Sequence, residues 1–297
     1  MQNVTQFMDP IDITKALSSD TLLAACADLE TSIKFVVDYI LSLFPCAVNT
    51  LELDMNFFSD FAFLSNGNFV KSCKDLILRA DSRTTKKSIN DVVNMVKGYE
   101  NLKIKGYNQE AFYNEKMISL KRLKLVDAFC FSEKNLFKLN CEVITLGENS
   151  YNHALLNKVI KKWLSGDFQN VKILSILMEH VPVSGLKVIF DGAEMKNWEP
   201  TTRRRYYKSQ FVLYDCRNGW DIVRGDGKLA TILFAEYSFK LFVWDERFPD
   251  YSLPLGMHYA RIPKQPILKA KKFDIKNFRL HEMLLNLDTF EPENFFY

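Results

Sequence analysis

The sequence predicts an α/β fold: an irregular, leucine-rich-repeat-like solenoid of strand–helix units, closed at its C-terminal end by an antiparallel β-hairpin module. Three observations carry this expectation. Short apolar alternations recur at a nearly constant interval. Amphipathic helical patterns fill several of the gaps. Beyond about residue 200 the helical period vanishes and strand-like runs follow one another directly.

The alternations are TLELD at Leu51, DLILRA at Leu76, NLKIKG at Leu102, RLKLVD at Leu123, VITLGE at Ile144 and VKILSI at Val171, with first apolar residues 25, 26, 21, 21 and 27 residues apart. Each has the period-two pattern of a strand with one face on a core. A strand of about five residues and a helix, repeated every 20–29 residues or so, is the leucine-rich-repeat period. The consensus asparagine ladder is mostly absent, so the repeat is irregular. One such unit cannot bury its apolar face alone, whereas stacked units share a core. An ordinary α/β domain with evenly spaced strands is the other reading of the same spacing.

Between the strands, SINDVVNMVKGY places Ile89, Val92, Val93 and Val96 on one helical face, with Gly98 as a candidate cap. HALLNKVIKKWLSGD does the same with Leu155, Leu156, Val159, Ile160 and Trp163. It ends in Lys161, Lys162 and Gly166, which suit the negative end of a helix and its left-handed cap. In the C-terminal part, Asp226-Gly227 separates two apolar runs and predicts a tight hairpin turn. KLATILF and FKLFVW then read as further antiparallel strands, covering the apolar end of the parallel stack. After Asp250 a proline-bearing tail is expected, with a short helix at RLHEMLLNL.

Composition narrows the function classes. A hydrophobic content of 47% with 25% charged residues places the chain among folded proteins. A net charge of +3 is too small to indicate a nucleic-acid partner. The dense basic run TTRRRYYK, with Arg203, Arg204 and Arg205, is read as a solvated loop or strand edge in preference to a phosphate patch. The six cysteines (Cys26, Cys46, Cys73, Cys130, Cys141, Cys216) form no CxxC pair and lie far from the four histidines. They read as buried free thiols in a reducing compartment, not as a zinc site. No signal-peptide pattern opens the chain. The longest apolar run, IKFVVDYILSLF, carries Lys34 and Asp38 and is too short to span a bilayer. The expectation is an intracellular protein, cytoplasmic or nuclear, with no membrane partner. The NVT at Asn3 and RGD at Arg224 are then chance matches.

Enzymatic motifs are missing: no GxSxG, HExxH, GxxxxGK[ST] or GxGxxG occurs. Cys130 or Cys141 with a distant His153 or His180 is the only nucleophile–base combination on offer, and buried structural cysteines explain these residues better. Asp226 is explained by the turn, and Asp221 by a charge pair with Arg224 across a strand. His258 and His281 have no evident partners. No enzyme activity, metal or cofactor is expected.

The opening VTQFMDPIDITKALSS poses a separate question, because an apolar run is broken by Asp9-Pro10 and then resumes. Val4, Phe7 and Met8 read as the end of one short helix, and Ile11, Ile13 and Leu17 as the buried side of a second.

Two motifs then carry a resemblance. The run LNCEVITLGENSYNHALLNKVIKKWLSGDFQNVKILSI resembles the core of the type 2 F-box-associated domain of a nematode-expanded family, with Asn157, Lys161, Trp163 and Gly166 at the matching positions. The run GWDIVRGDGKLATILF resembles the closing motif of that family, with Asp221, Ile222, Arg224, Asp226, Gly227, Ala230 and Thr231 in place. IKFVVDYILSLFPCAVNTLELD is similar to the segment before them, so the resemblance covers roughly residues 30 to 250. Members carry an F-box ahead of this region, and the opening stretch resembles its second half, without the leading Leu-Pro segment and most of the first helix.

The resemblance implies four parts: a partial F-box at 1–19, a repeat-like α/β region at 20–200, a β module at 201–250 completing the F-box-associated domain, and a tail at 251–297. It implies a substrate-recognition subunit of a cullin-based ubiquitin ligase. The F-box docks a Skp-family adaptor, here through Val4, Phe7, Met8, Pro10 and Ile13, and the repeat domain captures a target protein. With the first F-box helix missing, adaptor binding is expected to be weak or lost. The alternative is a stand-alone protein-interaction module no longer coupled to a ligase. The remaining motif residues are expected to be structural, and the target's identity is not encoded in any motif.

Overall fold

The computed structural model describes residues 21–24, 49–56, 61, 64, 73–106, 112–129, 131–178, 183–209, 212–235, 237–248 and 258–260. Val4, Phe7, Met8, Pro10 and Ile13 lie outside them, as do Cys130, His180 and the RLHEMLLNL segment.

The protein is a mixed α/β structure dominated by one large sheet. Seven strands lie parallel and side by side in chain order: β1 (Thr21–Ala24), β2 (Thr50–Asp54), β3 (Asp75–Arg79), β4 (Asn101–Lys105), β5 (Arg122–Asp127), β6 (Val143–Glu148) and β7 (Ile173–Leu177). The sheet continues in antiparallel pairings, through strands β8 (Lys196–Asn197), β11 (Trp220–Val223), β12 (Leu229–Ala235) and β13 (Ser238–Trp244), in the order β7-β13-β12-β11-β8. A second, three-stranded sheet holds β9 (Tyr206–Lys208), β10 (Val212–Asp215) and β14 (His258–Ala260).

The alternating pattern fixes the register. Leu51, Leu76, Leu102, Leu123, Ile144 and Leu174 form one transverse row, and Leu53, Leu78, Ile104, Leu125, Leu146 and Ile176 the next inward-facing row. All twelve are buried. A fully buried Leu or Ile side chain contributes about 1.5–3 kcal/mol, and a slip by one residue turns the whole set outward. The expected sixth position, Val171, is corrected by this register. It is buried but precedes β7, and Leu174 takes its place in the row, lengthening the last interval from 27 to 30 residues.

Backbone bonds at the strand starts repeat as well. Lys74 and Asp75 donate to the Asn49 carbonyl, Glu100 and Asn101 to that of Lys74, Lys121 and Arg122 to that of Glu100, and Lys172 and Ile173 to that of Glu142. In place of an asparagine ladder there is a short polar one, with Thr50 Oγ1 and Asn101 Nδ2 both donating to Asp75.

Helices cover one face of the sheet: α1 (Lys86–Met95), a 3-10 turn (Glu115–Ser119), the single turn α2 (Glu133–Leu136), α3 (His153–Leu164) and α4 (Val183–Ile189). Ile89, Val92, Val93 and Val96 from the α1 segment, and Leu156, Val159, Ile160 and Trp163 from α3, share one hydrophobic core with the two leucine-rich rows. Helix α1 starts on Thr85, whose hydroxyl accepts from the Ser88 amide at 3.1 Å, and α3 on Asn152, whose side chain accepts from Leu155 at 3.0 Å. Gly166 has φ +92° and donates to the Trp163 carbonyl, while Asp167 donates to that of Lys162; the expected left-handed cap is a Schellman motif. Gly98 differs from expectation. It is left-handed at φ +81°, but α1 has already ended at Met95 on an extended Val96, so Gly98 turns the chain toward β4 instead of capping the helix.

The C-terminal strands meet the parallel set through β13, which pairs antiparallel with β7 and aligns Leu241 with Leu174 and Phe239 with Ile176. The Asp-Gly hairpin joins β11 to β12: the Gly227 amide donates to the Arg224 carbonyl, and Gly227 sits at φ +82°. Strands β9 and β10 lie outside the main sheet. They pair with each other, and Val212–Tyr214 also pairs with His258–Ala260, from the segment read as an extended tail. This small sheet packs on the main-sheet face opposite the helices, where Tyr207, Tyr214 and Cys216 meet Ile173, Leu229, Leu233, Phe242 and Trp244.

Candidate functional site

The motif residues fall into three connected places. Asn157, buried on α3, donates to the carbonyls of Ile189 (2.9 Å) and Asp191 (2.8 Å), satisfying the end of α4. Lys161, one turn on, stands 3.6 Å from the Asp191 carboxylate. Trp163 is fully buried at the end of α3, and the Arg224 guanidinium lies over its ring at 5.3 Å. Arg224 in turn forks onto Asp226, at 3.0 and 2.6 Å, and this bond first of all holds the Asp226 carboxyl down at about 2. The two motifs, far apart in sequence, thus meet where the hairpin turn docks on the last turn of α3.

The third place is a buried polar network between β11, β12 and β13. Asp221 accepts from Arg203 Nε at 2.9 Å and from the Thr231 hydroxyl at 2.7 Å, and Thr231 accepts from the Trp244 indole at 2.8 Å. Arg203 also donates to the carbonyls of Cys216 and Arg204 and stacks on Trp244. Burial pushes the Asp221 carboxyl up, and Arg203 and Thr231 pull against that push. Two expectations are corrected here. Asp221 pairs with Arg203, not Arg224. Arg203 is not a solvated basic residue: it is 0% exposed and serves an internal ion pair. Arg205 pairs with Asp215 at 2.6 Å. The basic run is therefore structural at two of its three arginines. Ile222 and Ala230 face each other across the hairpin in the core.

The sheet face opposite the helices presents a different chemistry. One transverse row on it reads Glu52, Ile77, Lys103, Lys124, Thr145, Ser175, Lys240 and Leu233, each residue in register with the next. Three lysines and two hydroxyls thus occupy five consecutive strands. At one end, Glu52 accepts from Arg79 Nε (2.6 Å) and Lys105 Nζ (3.1 Å). Burial pushes Glu52 up, but these two cations outweigh it and hold the carboxyl below its ordinary value. At the other end the Lys240 ammonium lies over the Tyr214 ring at 5.2 Å, so the small sheet forms a wall there. Burial, followed by neighbouring positive charge, pushes Lys103, Lys124 and Lys240 each down to about 8. The charge neighbours include Lys124 for both Lys103 and Lys240.

At the strand-start edge lies a polar cleft of about 810 Å³, lined by Tyr99, Lys116, Asn140 and Lys172 among others. Two of its lysines are engaged internally. Lys116 Nζ caps the end of α1 through the carbonyls of Val93, Asn94 and Val96, and Lys172 pairs with Glu142 and Asp245. Cys141, a candidate nucleophile by sequence, points its thiol at the Met117 carbonyl, and burial pushes it up to about 12. Cys73, Cys141 and Cys216 are buried free thiols. Among the described residues no group of three or more His, Cys, Asp and Glu could hold a metal ion, and no helix is long and apolar enough to cross a membrane.

The lysine row went unnoticed in the sequence, although a signal is there. NLKIKG, RLKLVD and FKLFVW each carry a lysine at a polar position of the alternation. The Arg203–Asp221 pair left no such trace.

Comparisons with known proteins point to nematodes. The chain is 23% identical over 264 residues to Uncharacterized protein F59B2.9 of Caenorhabditis elegans, covering 84% of this chain and 61% of that protein. It is 20% identical over 231 residues to Uncharacterized protein F59B2.8 of the same organism, covering 75% and 52%. A third, Uncharacterized protein F54H12.5, is 27% identical over 158 residues, covering 52% of this chain and 45% of its own length. The chain therefore spans about half to three fifths of the curated relatives it matches. No family model matches, and no solved structure matches.

Proposed function

We propose that the chain is a protein-recognition module of the F-box-associated type and that it presents a target protein to a cullin-based ubiquitin ligase. The observation that carries this reading is the two-sided sheet. One face is packed by helices, while the other offers a registered polar and basic row bounded by the small sheet. The strands and the segments between them are read as irregular strand–helix repeats, the architecture that offers extended surfaces to partner proteins. Similarity to C. elegans proteins supports membership of a nematode-expanded family. The meeting of the two family motifs at Trp163 and Arg224 supports the F-box-associated assignment.

Catalysis by proximity follows from this reading. The protein raises the effective concentration of target lysines near a charged E2 and does no bond chemistry itself. The adaptor contact is assigned to the F-box-like segment with Val4, Phe7, Met8, Pro10 and Ile13. Calorimetry with a purified Skp-family adaptor tests it. Binding weakened by Phe7→Ala and Met8→Ala is the expected result. Binding indifferent to both overturns the ligase reading.

A further inference from the structure

We propose that the cleft along the strand-start edge binds the C-terminal end of the target protein as an extended peptide, with the terminal carboxylate on Lys228 and the last peptide units on Asn170, Gln169 and Asn140. The inference deepens the target-recognition reading above and rests on it. The cleft crosses six neighbouring strands, β4 to β7, then β13 and β12, and a charged residue stands at that edge of each. In this order they read Glu100, Lys121, Glu142, Lys172, Asp245 and Lys228, so the sign alternates from strand to strand. All but the last are tied to one another. Lys121 lies 3.9 Å from Glu100, and Lys172 lies 3.3 Å from Glu142 and 3.5 Å from Asp245. Lys228, exposed at the end of the row, makes no ion pair among the described residues. Asp226, the carboxylate two residues before it, is taken by the Arg224 fork. The available cation of the cleft is thus at one end.

Neutral polar groups follow it. Gln169 and Asn170 precede β7, and Asn140 precedes β6. All three are exposed, and their side chains make no hydrogen bond among the described residues. A carboxamide offers both a donor and an acceptor, matching the N–H and C=O of a peptide unit. Strands β12 and β6 are three spacings apart, about 14 Å, and four residues of an extended chain cover about the same distance. The amides therefore lie along the stretch that the last residues of a chain occupy when its carboxylate meets Lys228. Among the described residues β11 contributes nothing to the cleft, so it ends at β12. An acidic residue inside a longer chain would have to carry that chain on over the exposed Asp226 turn, whereas a chain terminus ends with the cleft. Polyanions are disfavoured, because the carboxylates of Glu100, Glu142 and Asp245 stand in the same row as the lysines.

The test uses the whole 297-residue chain, immobilised. The probe is a pool of N-acetylated hexapeptides randomised at the last four positions, offered as free acids and as C-terminal amides, with retained peptides read by mass spectrometry. The most enriched free acid is then titrated alone. It should bind saturably, at least about tenfold more tightly than its amide twin. Lys228→Gln should abolish that preference and Lys228→Arg should keep it. Asn140→Ala and Asn170→Ala should each weaken binding about three- to tenfold. All three positions are exposed, so the urea midpoint of each variant should match the parent. The proposal is overturned if the two pools are retained alike or if no peptide saturates by about 1 mM. It is equally overturned if the preference survives Lys228→Gln, or if both alanine variants bind like the parent. An amide-terminated twin with aspartate at its last position that binds as tightly as the free acid also overturns it, by making the ligand an acidic side chain. Adaptor calorimetry depends on Phe7 and not on Lys228, so this inference and the ligase reading fail separately.

Discussion

Removing Arg203 should cost more than any surface charge in the molecule. The side chain is fully buried, meets both oxygens of Asp221 from Nε at 2.9 Å, and donates to the Cys216 carbonyl at 2.8 Å. In Arg203→Met the volume is roughly kept, but Asp221 is left with the Thr231 hydroxyl as its remaining side-chain donor, and Cys216 loses its guanidinium bond. Breaking one partner out of a buried ion pair costs about 3–5 kcal/mol. An orphaned carbonyl alone costs about 1–3 kcal/mol. The two overlap, so the upper half of the first range is expected. With an m-value of about 3 kcal/mol/M in urea, the unfolding midpoint should fall by about 1.3–1.7 M. The double variant Arg203→Met/Asp221→Leu removes both charges together and should recover a large part of the loss, giving a coupling of about 2–3 kcal/mol in the cycle. Urea titrations followed by tryptophan fluorescence measure all three variants. A single variant within about 1 kcal/mol of the parent, or strict additivity in the double, would refute the argument that this pair is an internal tie.

Trp163→Ala should cost about 3–5 kcal/mol, whereas Trp163→Phe, which keeps a ring under Arg224 and deletes an indole N–H with no partner, should cost clearly less. Equal losses in chemical denaturation would show that ring packing is not what matters there. Gly227→Ala puts a Cβ at φ +82° and should lower stability by roughly 1–2 kcal/mol, read from the same titrations; parent-like stability would contradict the turn geometry. Lys240 titrates at about 8 in the fold and near 10.4 in an unfolded chain, so its charging penalty is complete below pH 8 and fades as pH rises toward 10.4. The parent should therefore gain stability relative to Lys240→Met between pH 7 and about 9.5 in thermal melts, and a pH-independent difference would count against a buried charged amine.

The parallel strands were legible because a half-buried strand writes its period directly into the sequence. Leu51, Leu76, Leu102, Leu123 and Ile144 align as the alternation predicts. Val171 misled because an apolar residue just before a strand looks like its first member, and only pairing with Ile144 identifies Leu174. Gly166 was readable as a helix cap because lysines and a helical face precede it. Gly98 was not, since the helix stops at Met95 on an extended Val96, before the glycine is reached. The small sheet escaped notice because its partners Val212–Tyr214 and His258–Ala260 are far apart and each is too short to show a period. Arg203 illustrates a harder limit. A basic triplet looks solvated, and the carboxylate that draws its first member inward lies 18 residues on, in a strand whose own neighbour Arg224 seemed the obvious partner. The lysine row shows the reverse, a pattern present in three short strings but visible only once the register stacks them.

The order of the strands also governs how the chain can assemble during synthesis. From β1 to β7 each strand pairs with the one made just before it, so every new segment finds a finished template as it leaves the ribosome. The edge of β7 is the exception. Its partner β13 is made only after α4 and five further strands, and until then β7 presents an unpaired row of backbone donors and acceptors. A chain interrupted before Ser238 keeps that edge uncovered. Termination between Leu177 and Ser238 should therefore yield aggregation-prone product, while cuts after Trp244 leave the main sheet complete.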